Sequence, residues 1–150
     1  MPMAVNADLA GTTYPDTEPY LVGREKVREF ARAVGSSDAL SLDPAAAVAA
    51  GYPDVVAPPT FAVVVQDASL AQLLADERAG VDFSRVVHGE QRFEYSRPIV
   101  AGDSLTARMT VTSVKTLGGN AMVTAESVIR DGSGEHVVTA ISTLVVRGEQ

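Results

Sequence analysis

Seven residues, Gly35-Ser36-Ser37-Asp38-Ala39-Leu40-Ser41, place three hydroxyls and a carboxylate in one short segment. A serine hydroxyl moves protons or attacks a carbonyl only beside a base. The carboxylates within reach along the chain are Asp38 and Asp43. Both also suit the ordinary duty of Asp in such a run, which is to cap a turn or helix. There are two histidines. His88 lies in Val86-Val87-His88-Gly89-Glu90-Gln91, where a glycine within an alternating pattern marks a bulge. A lone histidine on a strand is usually structural. His136 follows the Asp131–Gly134 turn and is expected to face solvent. Asp67 interrupts an apolar run, and its expected duty is to cap, to pair with an arginine or to meet a second subunit.

The surrounding pattern defines the elements that must position these groups. Residues 1–18 are polar and turn-rich and read as a flexible arm, with a short strand near Tyr20-Leu21-Val22. In residues 24–34, Val27, Phe30, Ala31 and Val34 form one apolar stripe at helical spacing, and Gly35 is a natural stop. Asp43, Pro44 and Gly51 mark the cap, first turn and end of a short helix. A longer helix opens at Pro59 or Thr60 and runs to about Ala75. Its first half is apolar on nearly every side, which predicts burial all round. The Val63-Val64-Val65 run fits a strand locally, but the segment is too long for one. After Gly80 the period changes to two. Strands are expected over 84–95, 103–116, 119–131 and 135–147, with Leu105, Ala107, Met109 and Val111 alternating with Thr106, Arg108, Thr110 and Thr112. Gly118-Gly119-Asn120 and Asp131-Gly132-Ser133-Gly134 are hairpin turns. The class is α+β. A long apolar helix followed by an antiparallel meander is the pattern of a single hot-dog fold, a central helix wrapped by a curved antiparallel sheet, over residues 19–150.

At 150 residues the chain is one domain with room for a full core. The formal net charge of −7 argues against a nucleic-acid or anionic-membrane surface. The start has no signal-peptide pattern, no 18-residue apolar run occurs, and there is no cysteine, which together point to the cytoplasm. Zinc spacing, a phosphate-cradling glycine loop and a nucleophile elbow are absent, so no cofactor or metal is expected.

The Gly35–Ser41 loop, Ala50-Gly51-Tyr52 with Asp54-Val55-Val56-Ala57-Pro58-Pro59-Thr60-Phe61, and Arg97-Pro98 with Gly102-Asp103 resemble the MaoC-like (R)-specific hydratase/dehydratase family. His88-Gly89-Glu90-Gln91 resembles its N-terminal domains. In that family the loop reads Gly-Asp-x-Asn-Pro-Ile-His, and its Asp and His transfer the protons. Placed on this chain, the Asp position is Ser36, the Asn position Asp38, the Pro position Ala39 and the His position Ser41. The frame survives and the acid/base pair is vacated.

The resemblance implies a subunit of a (3R)-hydroxyacyl-thioester dehydratase or enoyl hydratase, closest to the non-catalytic hot-dog subunit of a heterodimeric (3R)-hydroxyacyl-ACP dehydratase. It implies acyl-CoA or acyl-ACP as ligand and a homodimer or a heterodimer with a catalytic MaoC-like subunit. Substrate contacts are expected at Asp38, at His88 and at the helix start Thr60, Phe61 and Ala62, where free backbone N–H groups can hold a thioester carbonyl. Three alternatives remain: a self-sufficient homodimeric (R)-specific enoyl-CoA hydratase using Asp38 or His88, a non-enzymatic acyl-thioester binding protein, and a hot-dog thioesterase using Asp67. Arg24, Arg28 and Arg32 with Lys26 could meet coenzyme A phosphates or an acidic carrier, but interleaved Glu25 and Glu29 favour a solvated, ion-paired face.

Overall fold

The computed structural model describes residues 4–148. Helix α1 spans Arg24–Ala33 and buries Val27 and Ala31. Gly35, at φ 74°, lets the chain reverse after it. Asp38 caps α2, Ala39–Leu42, and Asp43 caps α3, Pro44–Ala49. The sequence left α2 as loop, because one capped turn carries no periodicity to detect. A 3₁₀ turn at Pro59–Phe61 leads into α4, Ala62–Ala75.

The strands are β1 (Tyr20–Leu21), β2 (Val86–Tyr95), β3 (Ser104–Leu117), β4 (Asn120–Arg130) and β5 (His136–Val146). They form one antiparallel sheet in the order β1-β3-β4-β5-β2, so β3, β4 and β5 are successive hairpins and β2 joins from the far side. The β3–β4 turn has Gly118 and Gly119 at φ 59° and 80°, as a tight hairpin turn requires. The register shifts between His88 and Glu90, which is the bulge expected at Gly89. With α4 against it, the curled sheet is the hot-dog fold.

Helix α4 buries Ala62, Val65, Gln66, Ser69 and Leu73, one stripe facing the sheet. The expectation of burial on every side is corrected: Asp67, Ala68, Ala71 and Ala75 are exposed. A buried stripe exists instead, and small and polar residues on the outer face dilute its periodicity. At one end of α4, Phe61 packs edge-on against Phe30 at 5.3 Å and tilted against Tyr20 at 6.4 Å. Ile99, Leu105 and Ile129 complete this part of the core. A second cluster gathers Leu73, Met109, Val111 and Leu144 at the other end. Leu9 and Tyr14 belong to it, so the segment expected as a flexible arm contributes to the core. Residues 11–17 run beside β3, with Gly11 N–H donating to Val111 O at 2.7 Å and Tyr14 N–H to Met109 O at 2.8 Å. The turn-rich composition concealed this, because backbone pairing leaves little trace in side-chain pattern.

Phe61 is fully buried and links α1, β1 and α4. Phe61→Ala is expected to cost about 3–5 kcal/mol. A urea titration would report this as a lower midpoint with an unchanged slope.

Candidate active site

The loop after α1 is built from local bonds. Ser36 N–H donates to Ala31 O at 2.8 Å, and Asp38 N–H donates to Ser36 Oγ at 3.3 Å. Asp38 Oδ1 accepts from Leu40 N–H at 3.0 Å. Ser41, only 4% exposed, donates its hydroxyl to Val56 O at 2.6 Å, while Val56 N–H donates to Leu40 O at 2.8 Å. The loop is thereby joined to the chain entering α4. The Ser41 hydroxyl proton is engaged by a carbonyl, and neither Ser36 nor Ser41 has an imidazole as partner.

Beside this loop lies a cleft of about 430 Å³. Ser36, Asp38 and Ser41 form one wall, Pro58 and Pro59 the base, and Tyr95–Pro98 the opposite wall. The Tyr95 hydroxyl donates to Pro59 O, tying the end of β2 to the start of α4. Burial pushes the Tyr95 phenol up to about 12, so it remains a donor at neutral pH. Arg97 forms a bidentate pair with Asp103, at 2.8 and 3.1 Å, and reaches Asp131 at 3.2 Å. Its charge is therefore fully engaged, by two carboxylates at once.

Ser96, also on this wall, has its Oγ 2.5 Å from Nδ1 of His136. His136 Nε2 lies 2.7 Å from Thr139 Oγ1. The solvent-facing expectation for His136 is corrected: the ring is half-buried and both nitrogens are engaged. Sequence reasoning missed Ser96. No local signal places it beside His136, because their contact depends on the β2–β5 register.

Of the expected contacts, Asp38 lines the cleft together with the vacated positions Ser36 and Ser41, and the start of α4 meets it through Pro58 and Pro59. Phe61 and Ala62 lie below, fully buried in the core. Phe61 N–H donates to Pro58 O at 2.9 Å and Ala62 N–H to Thr60 O. Thr60 is exposed on the 3₁₀ turn between them and the prolines. His88 is not at the cleft; it stands seven positions before Tyr95 on β2, about 23 Å along the strand.

His88 Nε2 lies 2.8 Å from Gln91 Oε1. Gln91 Nε2 donates to Gln66 Oε1 at 3.1 Å, and Gln66 Nε2 donates to Ser142 Oγ at 2.8 Å. This polar chain runs into the core. Asp67 is near His88; desolvation raises its carboxyl above the ordinary range and the His88 charge opposes that shift. Arg24 pairs with Asp54 at 2.9 Å, and Arg28 pairs with Glu25 at 2.7 Å, so the basic face of α1 is substantially ion-paired. Among the described residues no group of His, Cys, Asp and Glu could hold a metal ion, and no helix is long and apolar enough to cross a membrane.

Residues 8–140 match the family described as FAS1-like, dehydratase domain region. A UPF0336 protein of Clavibacter michiganensis subsp. michiganensis strain NCPPB 382 is 67% identical over 147 residues, which covers 98% of this chain and 99% of that protein. A solved MaoC-like dehydratase superposes with a TM-score of 0.85 at 39% identity, over 93% of this chain but 42% of that longer one. The C-terminally truncated HadBC (3R-hydroxyacyl-ACP dehydratase) complex of Mycobacterium tuberculosis gives a TM-score of 0.80 at 34% identity, over 92% of this chain and 97% of that one.

The cleft wall is acid-sensitive in a defined window. Bonds from Ser133 foremost, then from Arg97, lower the Asp131 carboxyl from its ordinary value of 3.8 to about 2. A carboxyl lowered on folding stabilises the fold above its unfolded pKa, and that stabilisation is lost as pH falls through the folded value. Asp131→Asn should therefore be less stable than the parent at pH 7, with the difference closing between about pH 4 and pH 2. Urea midpoints across that range check this; a difference that persists at pH 2 would contradict it.

Proposed function

The chain belongs to the FAS1-like dehydratase domain family, and on that premise we propose that it is the acyl-binding subunit of a (3R)-hydroxyacyl-thioester dehydratase or enoyl hydratase, with the proton-transferring Asp and His supplied by a partner subunit. One observation carries this reading: the hydroxyl at the family's His position, Ser41, is held by Val56 O and has no base beside it. Moving water across a Cα–Cβ bond requires a base for the α-proton and an acid for the departing hydroxyl. Ser36, Ser41 and a helix-capping Asp38 do not make such a pair.

Features that bind rather than react remain at the cleft. The start of the central helix, which meets the cleft at Pro58 and Pro59, suits a thioester carbonyl, since first-turn amides carry partial positive charge. The hollow beside Leu40, Pro58 and Pro59 suits an acyl chain or the arm that carries it. His88 lies apart from this hollow and takes a structural role at the β2 bulge.

The sheet offers an edge that supports a partner. Strand β2 is a ten-residue edge bonded on one side only, to β5. Val87 and Tyr95 on it are 46% and 37% exposed. A long edge of this kind is completed by pairing with another strand. The HadBC protein to which the chain is similar is a complex, which supports a second hot-dog subunit, of the same or a catalytic kind, at this edge.

Two outcomes are expected. The purified chain alone should hydrate trans-2-enoyl-CoA poorly or not at all, because each missing acid/base group typically removes about 10²–10⁴-fold in rate. Fast stereospecific hydration by the lone chain would sink the proposal. Sedimentation at tens of micromolar, about the range where common interfaces are occupied, should give a dimer; a stable monomer would remove the argument from the β2 edge.

A further inference from the structure

The vacated loop is not the cleft's whole chemical inventory. The opposite wall carries a serine hydroxyl bonded to an imidazole, whose other nitrogen is bonded in turn. We propose that Ser96 and His136 form a nucleophile–base pair that slowly hydrolyses an acyl thioester held in this cleft, through an acyl-serine intermediate.

The geometry meets the requirements one by one. The nucleophile must be hydrogen-bonded to a base, and Ser96 Oγ lies 2.5 Å from His136 Nδ1. The base must be oriented by a third group, and Thr139 Oγ1 lies 2.7 Å from His136 Nε2. With the ring proton on Nε2 and directed at Thr139, Nδ1 is free to accept the serine proton. The nucleophile must reach substrate, and Ser96 is part of the cleft wall.

The pair is also held in place. Ser96 N–H donates to Val137 O at 2.8 Å, which fixes the residue just past the end of the β2–β5 ladder. The Tyr95–Pro59 bond holds the same strand end against the helix start. That start carries the partial positive charge of first-turn amides, which favours a developing oxyanion.

In the first step His136 Nδ1 takes the Ser96 proton as Oγ bonds to the thioester carbonyl carbon. The carbonyl π pair moves onto oxygen. On its return the C–S bond breaks, and the leaving thiolate takes the proton from His136. The acyl group is now an ester of Ser96. Water attacks that ester with His136 again as base, and the products are a carboxylic acid and the free serine. No oxidant, metal or second substrate is needed. The orienting group is a hydroxyl rather than a carboxylate, which stabilises the imidazolium less, so turnover is slow and the acyl-serine accumulates.

The acyl thioester as substrate rests on the function proposed above; the reactive pair does not. The experiment therefore uses two probes on the full chain. The first is p-nitrophenyl butyrate, an activated ester that needs no thioester recognition; the second is a long-chain acyl-CoA. Intact-mass spectrometry follows acylation, and p-nitrophenol absorbance or thiol release follows turnover. Both probes are expected to give a burst and a single acyl adduct on Ser96. Ser96→Ala should abolish the adduct, and His136→Gln, which keeps a polar partner, should slow its formation about 10²–10⁴-fold. Circular dichroism and urea midpoints establish that both variants are folded. No adduct from either probe, or an adduct that persists in folded Ser96→Ala, would overturn the pair. Reaction with the ester but not with acyl-CoA would overturn thioester hydrolysis and weaken the acyl-binding reading with it. An absence of enoyl hydration by the same preparation bears only on the dehydratase reading.

Discussion

Every part of this molecule depends on one close approach, that of helix α4 to the concave face of the sheet. Two small hydroxyl residues permit it. Ser69 on the helix and Ser127 on β4 are fully buried and meet at 2.8 Å. One turn earlier Gln66 presents a primary amide to the same interior, a group that is costly to bury unless satisfied. Ser142, Gln91 and Ala140 O satisfy it. Among the described residues no buried side-chain polar atom lacks a partner. The apolar clusters at the two ends of α4 supply the main driving force, while the central polar contacts allow only one rotation and translation of the helix. Once α4 is fixed, the position of Pro58 and Pro59 follows, and so does the base of the cleft.

The cleft beside the Gly35–Ser41 loop is a product of the frame around it. Its shape comes from backbone interactions: Ser41 to Val56 O, Val56 N–H to Leu40 O, and Tyr95 to Pro59 O. A serine at position 41 satisfies the wall's need for a donor with a side chain too short to project into the hollow. The Arg97–Asp103–Asp131 cluster adds rigidity, since one guanidinium holds two carboxylates from separate segments.

Much of the fold was legible because its signals are local. The caps at Asp43 and Gly35, the glycine bulge in β2 and the alternation in β3 each lie within a few residues. The family frame was legible for the same reason, since Gly35–Ser41 and Asp54–Phe61 are contiguous. Three features were not. Helix α2 is a single capped turn, shorter than any periodicity. The pairing of residues 11–17 with β3 uses backbone atoms, which composition does not report. The Ser96–His136 contact joins residues 40 positions apart, and a register slip of one residue would turn one of the two side chains to the other face.

The strand order has a consequence for how the molecule comes together. Strands β3, β4 and β5 are joined by tight turns, so their pairing closes only short loops. Strand β2 must instead reach β5 across the three intervening connections, and Gln91 meets Ser142 at a separation of 51 residues. Loop closure of that length carries an entropic cost that grows only slowly with further length, about 0.6 kcal/mol per doubling, but none of it is recovered until many side chains are in register at once. Both the bond from Tyr95 to Pro59 and the contact of Ser96 with His136 lie at the end of this same edge strand. One side of the cleft and the exposed edge of the sheet are thus carried by a single segment, so whatever displaces that edge also displaces the hollow.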